Sequence, residues 1–536
     1  MNLYRTVHWK KKGIFKGFKV FNKPSKMRNQ RSIYRLLNAM VLPSVLAIVL
    51  IGCSAAGRSP DYEPTWESLA RHKAAPEWFR NAKFGIYFHW GVYSVPAFGS
   101  EWYPRWMHFE GHPEYEHHLA TYGPPSEFGY HDFVPMFKAE KFDADEWADL
   151  FKRAGARFAG PVAEHHDGFA MWDSKATPWN AKDMGPKRDI TGELATAIKE
   201  RDMKFITTFH HAKQLQRHDS IPDEPGGEPY RFSHYPFFEG MPPSSDDEKL
   251  KYLYGNIPEA RWLEDIWLAK LKEVIDQYQP DIMWFDYMLD KIPETYRQEY
   301  CAYYLNEAAK WGREVVIVRK QDDLPIEFTV EDLEKSRKNR IGQVPWMTDE
   351  TVSKGSWCYT EDLEIKQSRD VLHVLIDIVS KNGILLLNIS PRADGTIPED
   401  QQQVLLDMGE WLGKYGEAIY GTRPWYNYGE GPVREPEGDF KFHREFLKIV
   451  YSSDDIRYTT KGQYIYAIVL GWPGAGKDIR LKAFAEDQLP EPVNVKKVTL
   501  LGSRTGPEWH QDKSGLTIQA PSAAPDEMAI VFRIKW

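Results

Sequence analysis

The segment Pro280-Asp281-Ile282-Met283-Trp284-Phe285-Asp286-Tyr287 sets a carboxylate at the end of an otherwise apolar run. In a β-strand, side chains alternate between faces, so Ile282, Trp284 and Asp286 point one way and Met283, Phe285 and Tyr287 the other. A buried carboxylate is costly unless it is paired or functional. Asp286 is therefore either a salt-bridged structural residue or a reactive one. Histidines recur at the ends of other apolar runs: His89, then His165-His166 within EHHDGF, then His210-His211. Adjacent histidines on a strand point to opposite faces, whereas a metal site on a barrel strand needs ligands that share a face, so zinc is disfavoured. Neutral imidazoles are two-sided hydrogen-bond partners for hydroxyl groups, which suits a sugar. Tyr87 and His89 share one face of the first run, Trp90 lies on the other, and Glu101-Trp102-Tyr103 follow in the next loop.

These residues need a scaffold that gathers strand ends. From about residue 80 to 420, apolar runs (84–90, 158–166, 204–211, 281–287, 314–320 and 383–390) alternate with amphipathic stretches (143–154, 191–201, 262–278 and 369–381). Asp143 and Thr191 have the character of helix N-caps. Strands alternating with helices indicate a parallel sheet. In a (β/α)8 barrel the carboxyl ends of the strands form the active face, where His89, His165, His166, His210, Asp286 and Arg319 would meet. No glycine-rich nucleotide fingerprint follows the first run, which argues against a doubly wound sheet. After Pro424 the segments 463–470, 478–484, 495–501, 516–520 and 528–536 are short, alternating and separated by Gly, Pro and Asp. They predict an antiparallel β-sandwich.

The whole chain has 536 residues, a formal charge of -8, 14% aromatic residues including 20 Trp, and three cysteines. With a mean hydropathy of -0.56 it is neither a polytopic membrane protein nor a disordered chain. The negative charge excludes a typical nucleic-acid surface, and three cysteines exclude a disulfide-stapled scaffold or a Cys-rich zinc module. Cys301 and Cys358 carry no nucleophile signature and are expected to be buried thiols, with a disulfide as the alternative in an oxidising compartment.

No acidic residue precedes Asp61. Lys10-Lys11-Lys12, Arg28, Arg31 and Arg35 lead into the apolar run Leu37–Gly52 and then Cys53. A basic region and a short apolar core mark an export signal, and Leu50-Ile51-Gly52-Cys53 resembles a bacterial lipobox, with Met27 an alternative start. On that reading residues 1–53 are the leader, Cys53 is lipidated, 54–64 are a tether, and the rest works outside the cytoplasm, held at the cell envelope by its lipids. One decoy is rejected: Gly471–Lys477 (GWPGAGK) has phosphate-loop spacing, but Asp478 replaces the hydroxyl residue and a strand pattern follows, so a hairpin turn is the better account.

Taken together, FGIYFHWGVYSVPAFGSEWY (84–103), EHHDGFAMWDS (164–174), GPKRDI (185–190) and WFDY (284–287) resemble the α-L-fucosidases of glycoside hydrolase family 29, from about Pro64 to Trp425. The resemblance implies a (β/α)8-like catalytic barrel, here 65–424, followed by a β-sandwich, 425–536. It also implies retaining hydrolysis of terminal α-L-fucosides of fucosylated glycans, with no metal or other cofactor. By position, Asp286 matches the nucleophile, and His89, Glu101, Trp102, His165, His166, Trp284 and Arg319 match sugar-binding positions, with Trp102 and Trp284 expected against the apolar face of the sugar. The acid/base lies on a variable loop in that family. Glu327, Glu331, Glu334, Asp349 and Glu350 are candidates here, and Glu334 best fits the D-x-E-[RK] signature. Two departures stand out: Glu164 where a Lys commonly precedes the histidine pair, and His210 or His211 where many members have Tyr. The rival readings are a non-catalytic sugar-binding surface lipoprotein, a retaining glycosidase for another sugar, and a metal-dependent hydrolase on the same barrel.

Overall fold

The computed structural model describes residues 61–218, 247–433, 448–491 and 493–536. The lipobox, Cys53 and most of the tether lie outside the described residues. Among those described, no helix is long and apolar enough to cross a membrane.

Eight strands form one parallel sheet: β1 (Phe84–Phe88), β2 (Phe158–Glu164), β3 (Lys204–Phe209), β4 (Ile282–Phe285), β5 (Val316–Arg319), β6 (Val330–Glu331), β7 (Trp346–Thr351) and β8 (Gly383–Ile389). Their order, β6-β5-β4-β3-β2-β1-β8-β7, is that of a nearly closed barrel. The β6–β7 seam is spanned by a parallel bridge between Asp332 and Met347, with Leu333 N–H donating to the Met347 carbonyl at 3.0 Å. The six apolar runs read from the sequence are six of these strands. β6 and β7 were not foreseen, because one is two residues long and the other ends in Thr-Asp-Glu-Thr. No helix lies between β5 and β6 or between β6 and β7, so two loops occupy that side of the barrel, and the second carries Asp332 and Glu334.

Strand alternation sorts the core into two layers. Ile282 and Trp284 of β4 lie with Tyr87, Val162, Ile206, Val316, Val318 and Leu386 inside the barrel. Met283 and Phe285 face the outer helices, as period two requires. The helix Ala144–Arg153 starts at Asp143, whose Oδ1 accepts from the Asp145 and Glu146 N–H groups at 2.9 and 3.0 Å. The next helix, Ile190–Glu200, is capped by Asp189, not by Thr191. Thr191 is the second residue of the helix and donates its hydroxyl to the Met171 carbonyl at 2.8 Å. Asp189 wins because its carboxylate is placed to accept from Gly192 N–H, at 3.0 Å.

The carboxyl-terminal part has two antiparallel sheets. One has the order β13-β16-β11-β10-β9, from β9 (Arg423–Glu430), β10 (Ile456–Lys461), β11 (Tyr464–Val469), β13 (Lys497–Leu500) and β16 (Ile530–Lys535). The other has β12 (Asp478–Leu481), β14 (Trp509–Asp512) and β15 (Gly515–Gln519), in the order β12-β15-β14. Both enclose one core, with Ile465 and Phe532 meeting Leu481 and Ile518. The glycine-rich decoy runs into β12, a strand and not a helix. It is not a hairpin turn, however: β11 and β12 belong to different sheets, so the segment crosses between them.

A buried ionic cluster ties this sandwich to the barrel. Asp377, on the helix Ser368–Ser380, accepts from Arg457 Nε of β10 at 2.6 Å and from Lys381 Nζ at 2.8 Å, with Arg337 Nη1 at 3.9 Å. Burial works against the charged Asp377, but Lys381, Arg457 and Arg337 outweigh it and hold the carboxyl far below its usual range. Removing one partner from such a cluster costs about 3–5 kcal/mol, because it strands the remaining charges.

Candidate active site

The strand ends converge on a cavity of about 240 Å³. His89 follows β1, His165 and His166 follow β2, His210 follows β3, Asp286 and Tyr287 follow β4, and Lys320 follows β5. Glu334 lies just beyond β6, Asp349 within β7, and Trp357 after it. Glu101, Trp102 and Lys213 complete the wall from loops. A carboxyl-end location is where a barrel exposes backbone and side chains that the sheet no longer employs.

Asp286 is at the centre. Its Oδ1 accepts from Lys320 Nζ at 3.1 Å, and its Oδ2 lies 3.2 Å from His210 Nδ1 and 3.3 Å from His166 Nε2. His166 Nδ1 is 2.6 Å from the His210 carbonyl, so its ring proton is committed there. Burial and then Lys213 push the His166 pKa down to about 3, against the contact with Asp286. Lys320, His210 and His166 are thus the three side chains in contact with this carboxylate. Burial alone would raise the Asp286 pKa, but Lys320 and His210 more than offset it, and the group stays ionised well below the carboxylate range.

The same ammonium of Lys320 reaches Glu334 Oε2 at 2.8 Å and Asp349 Oδ2 at 3.2 Å. Glu334 is displaced the other way: burial first, then Asp349 and Asp286, raise its pKa against the pull of Lys320. The site therefore holds one carboxyl group whose pKa is pushed down and another whose pKa is pushed up, the division of labour that acid-assisted nucleophilic displacement requires.

The remaining wall is built to meet hydroxyl groups. His89 Nδ1 bonds to Asn388 Oδ1 at 2.8 Å, and Asn388 Nδ2 donates to the Trp357 carbonyl at 2.7 Å and to Thr351 Oγ1 at 3.1 Å. That network fixes the Asn388 orientation and so leaves His89 Nε2 as the free acceptor. Glu101 Oε2 accepts from Trp357 N–H at 3.2 Å. Trp357 stacks on His89 at 5.4 Å, while Trp102 packs on His166 at 5.0 Å with Lys213 Nζ 3.9 Å from its ring centre.

The barrel and its terminal domain both match known family models: "Alpha-L-fucosidase" over residues 49–417 and "Alpha-L-fucosidase C-terminal domain" over 451–535. The chain belongs to the α-L-fucosidase family. It is 31% identical over 501 residues to the tissue alpha-L-fucosidase of Rattus norvegicus, covering 90% of this chain and 93% of that protein. Its identity to the tissue alpha-L-fucosidase of Homo sapiens is 30% over 514 residues, covering 92% and 97%. Among solved structures it is similar to the Thermotoga maritima alpha-fucosidase in complex with fucose, with a TM-score of 0.68 and 30% identity, covering 88% of this chain and all of that one.

Against the α-L-fucosidase expectations, His89, Glu101, Trp102, His165, His166, Asp286 and Glu334 all line the one cavity. Arg319 does not. Val316 and Val318 point into the barrel, so period two sends Lys320 to the cavity and Arg319 away from it, where its Nη1 reaches Asp322 at 3.2 Å. The alternation was visible in Glu314–Lys320 and would have selected Lys320. Trp284 also misses the cavity lining: it is fully buried beneath the cavity, 5.2 Å from the His210 ring. Trp357, beyond the unforeseen β7, lines the cavity beside Trp102.

The adjacent-histidine argument fails for a local reason. The β2 ladder shifts register between Val162 and Glu164 and ends there, so His165 and His166 lie past the pleat and both reach the cavity. Gly168 (φ 80°) turns the chain back, and a Cβ there would lie 2.6 Å from the Leu253 carbonyl oxygen. Asp167 pins the turn by accepting from Tyr130 Oη at 2.8 Å. Two groups consequently have atoms close enough to hold a metal ion, His89/His165/His210 and His166/His210/Asp286. The departure at Glu164 is structural: the same register shift sends its side chain outward, where it pairs with Lys270 at 2.7 Å, both fully buried. Of the two histidines at the Tyr position, His210 faces the cavity and His211 stacks on Trp267 behind it.

Among the acid/base candidates, Glu327 is exposed, Glu331 pairs with Lys338 at 2.8 Å, and Glu350 pairs with Lys366 at 2.8 Å. Only Glu334 and Asp349 of the five line the cavity. Cys301 and Cys358 are buried free thiols.

Proposed function

We propose that this α-L-fucosidase family member removes terminal α-L-fucosyl residues from fucosylated glycans by double displacement, with Asp286 as nucleophile and Glu334 as acid/base. Asp286 attacks the anomeric carbon while Glu334 donates its proton to the departing glycosidic oxygen. Glu334, now a carboxylate, takes a proton from the water that hydrolyses the fucosyl ester. His89 Nε2 accepts from a fucose hydroxyl, and Trp102 and Trp357 cover the apolar face of the deoxy sugar.

One observation carries this reading. A single ammonium contacts Asp286 and Glu334 at 3.1 and 2.8 Å, so the two carboxyl oxygens are no more than about 6 Å apart whatever the angle at nitrogen. Retaining enzymes hold their pair about 5–5.5 Å apart, and inverting ones about 6.5–9.5 Å. The test is hydrolysis of an aryl α-L-fucoside followed by NMR before mutarotation. The α-anomer of fucose is expected first; the β-anomer appearing first would overturn the reading, and so would loss of activity on dialysis against a chelator.

The basic leader ending in Leu50-Ile51-Gly52-Cys53 supports attachment of the enzyme to the cell envelope through lipid on Cys53. Expressed in a bacterium, the full chain should partition with membranes, and Cys53→Ala should release it or leave it unprocessed. Equal membrane partition of a processed Cys53→Ala protein would reject the lipid.

A further inference from the structure

We propose that Asp332 and Asp349 share one proton and act as a positioning pair, presenting a single negative charge that holds Lys320 between Asp286 and Glu334. The proposal deepens the reading above and relies on it for the roles of Asp286 and Glu334. Asp332 stands immediately after β6 and Asp349 within β7, across the barrel seam, and both are buried, at 0% and 1% exposure. Asp332 pairs with Met347 across the seam, two residues before Asp349 on β7, so period two sets both carboxyl groups on the same inner face, each in the other's field. Asp349 Oδ2 accepts from Tyr87 Oη at 3.1 Å and from Lys320 Nζ at 3.2 Å. Among the described residues, no donor side chain or backbone N–H reaches Asp349 Oδ1 or either oxygen of Asp332.

Two carboxylates cannot face each other in that setting: like charges at contact in a dry interior, with no donor between them, are held together only by a proton. Burial, followed by Asp349, pushes the Asp332 carboxyl well up, consistent with that proton. The charge around Lys320 then balances differently from a count of carboxyl groups. Asp286 and the pair bring one negative charge each to the Lys320 ammonium, with Lys213 a second ammonium in the cavity wall. Burial together with those negative charges raises the pKa of Glu334, which favours a proton there for the leaving oxygen. The other groups facing Glu334 are Lys213 from the segment after β3, Tyr287 after β4 and Tyr87 of β1. Tyr87, Tyr287 and Glu334 also face the pair.

Infrared difference spectroscopy on the full chain in detergent, near neutral pH, tests this with and without activity. Wild type should show a protonated-carboxyl C=O band that disappears in Asp332→Asn and, from the other side of the pair, in Asp349→Asn, yet survives in Glu334→Gln. Asp332→Asn mimics the protonated partner, so kcat/KM should stay within about threefold of wild type with its basic limb unmoved. Asp349→Asn deletes the charge that holds Lys320 and helps Glu334 keep its proton, so the basic limb should move down by about one pH unit or more. A band that persists in both Asn variants, or an Asp332→Asn enzyme as impaired as Asp349→Asn, would overturn the proposal. Normal turnover in Glu334→Gln would instead reject the acid/base assignment and leave the band assignment standing.

Discussion

Replacing Asp286 by alanine should lower kcat on an aryl α-L-fucoside by roughly 10⁴–10⁶-fold, the scale of losing a covalent nucleophile. At about 1.4 kcal/mol per decade that is roughly 5–8 kcal/mol of transition-state stabilisation. The size follows from where Asp286 sits. Lys320, His210 and His166 contact it, all nearly fully buried, so the cavity is organised around a carboxylate that alanine does not replace. Azide should restore turnover by occupying the space, and because it attacks the sugar directly the fucosyl azide should have inverted configuration. The acid limb of the wild-type pH profile should lie low. Asp286 is ionised well below the ordinary carboxylate range, so activity is present above that point and falls only as pH drops through it. Near-normal turnover in the alanine variant, or a mechanism-based label on another side chain, would reject the assignment.

The second large effect is expected at Glu334. Changing it to glutamine keeps the shape and removes the transferable proton, a loss of about 10²–10⁴-fold for general acid–base catalysis. The loss should be greatest for oligosaccharides, whose leaving oxygen needs protonation, and smaller for a nitrophenyl fucoside, whose leaving group departs unaided. Azide should rescue the variant with retained configuration, since it intercepts the fucosyl ester on Asp286 from the water side. The wild-type basic limb should reflect Glu334, whose pKa is raised by burial and by Asp349 and Asp286: activity holds below that pKa and is lost as pH rises through it. The Glu334→Gln enzyme should lose that limb. Azide rescue at Glu331 in place of Glu334 would move the role, although Glu331 is held by Lys338.

The two effects are separable because Lys320 couples to both groups with opposite consequences. It stabilises charge on Asp286, and it opposes the retention of a proton on Glu334. The pKa of Glu334 is raised because burial, Asp349 and Asp286 together exceed that pull. A charged residue at position 320 is thus required for one carboxylate and tolerated by the other, a balance that depends on the seam between β6 and β7.

How far the sequence carried is clearest strand by strand. The run 281–287 specified its own geometry: alternation placed Trp284 and Asp286 inside, and they are inside. The same rule applied to 314–320 selects Lys320, so Arg319 was a failure to apply a legible signal. The histidine pair was different. Its two side chains share a cavity only because β2 shifts register and ends at Glu164, and no periodicity announces where a ladder stops. Trp284 was correctly placed on the inner face, but depth along the barrel axis decided that it lies below the sugar site.

Composition, the alternation of apolar runs with amphipathic stretches, and a few long motifs determined by themselves a barrel, a β-sandwich, a sugar-directed chemistry and the identity of the central carboxylate. The barrel, the sandwich and the face on which Asp286 lies follow from local rules, since a strand's period and a helix's cap are properties of neighbouring residues; the sugar chemistry rests on the resemblance of the long motifs. Which loop acid joins Asp286, which cation holds it, and that Asp332 lies against Asp349 were decided only when β6 and β7 came together. Those partners are up to 63 residues apart in the chain (Asp286 to Asp349), and electrostatic coupling depends on separation in space and on burial, quantities that exist only once the barrel has closed.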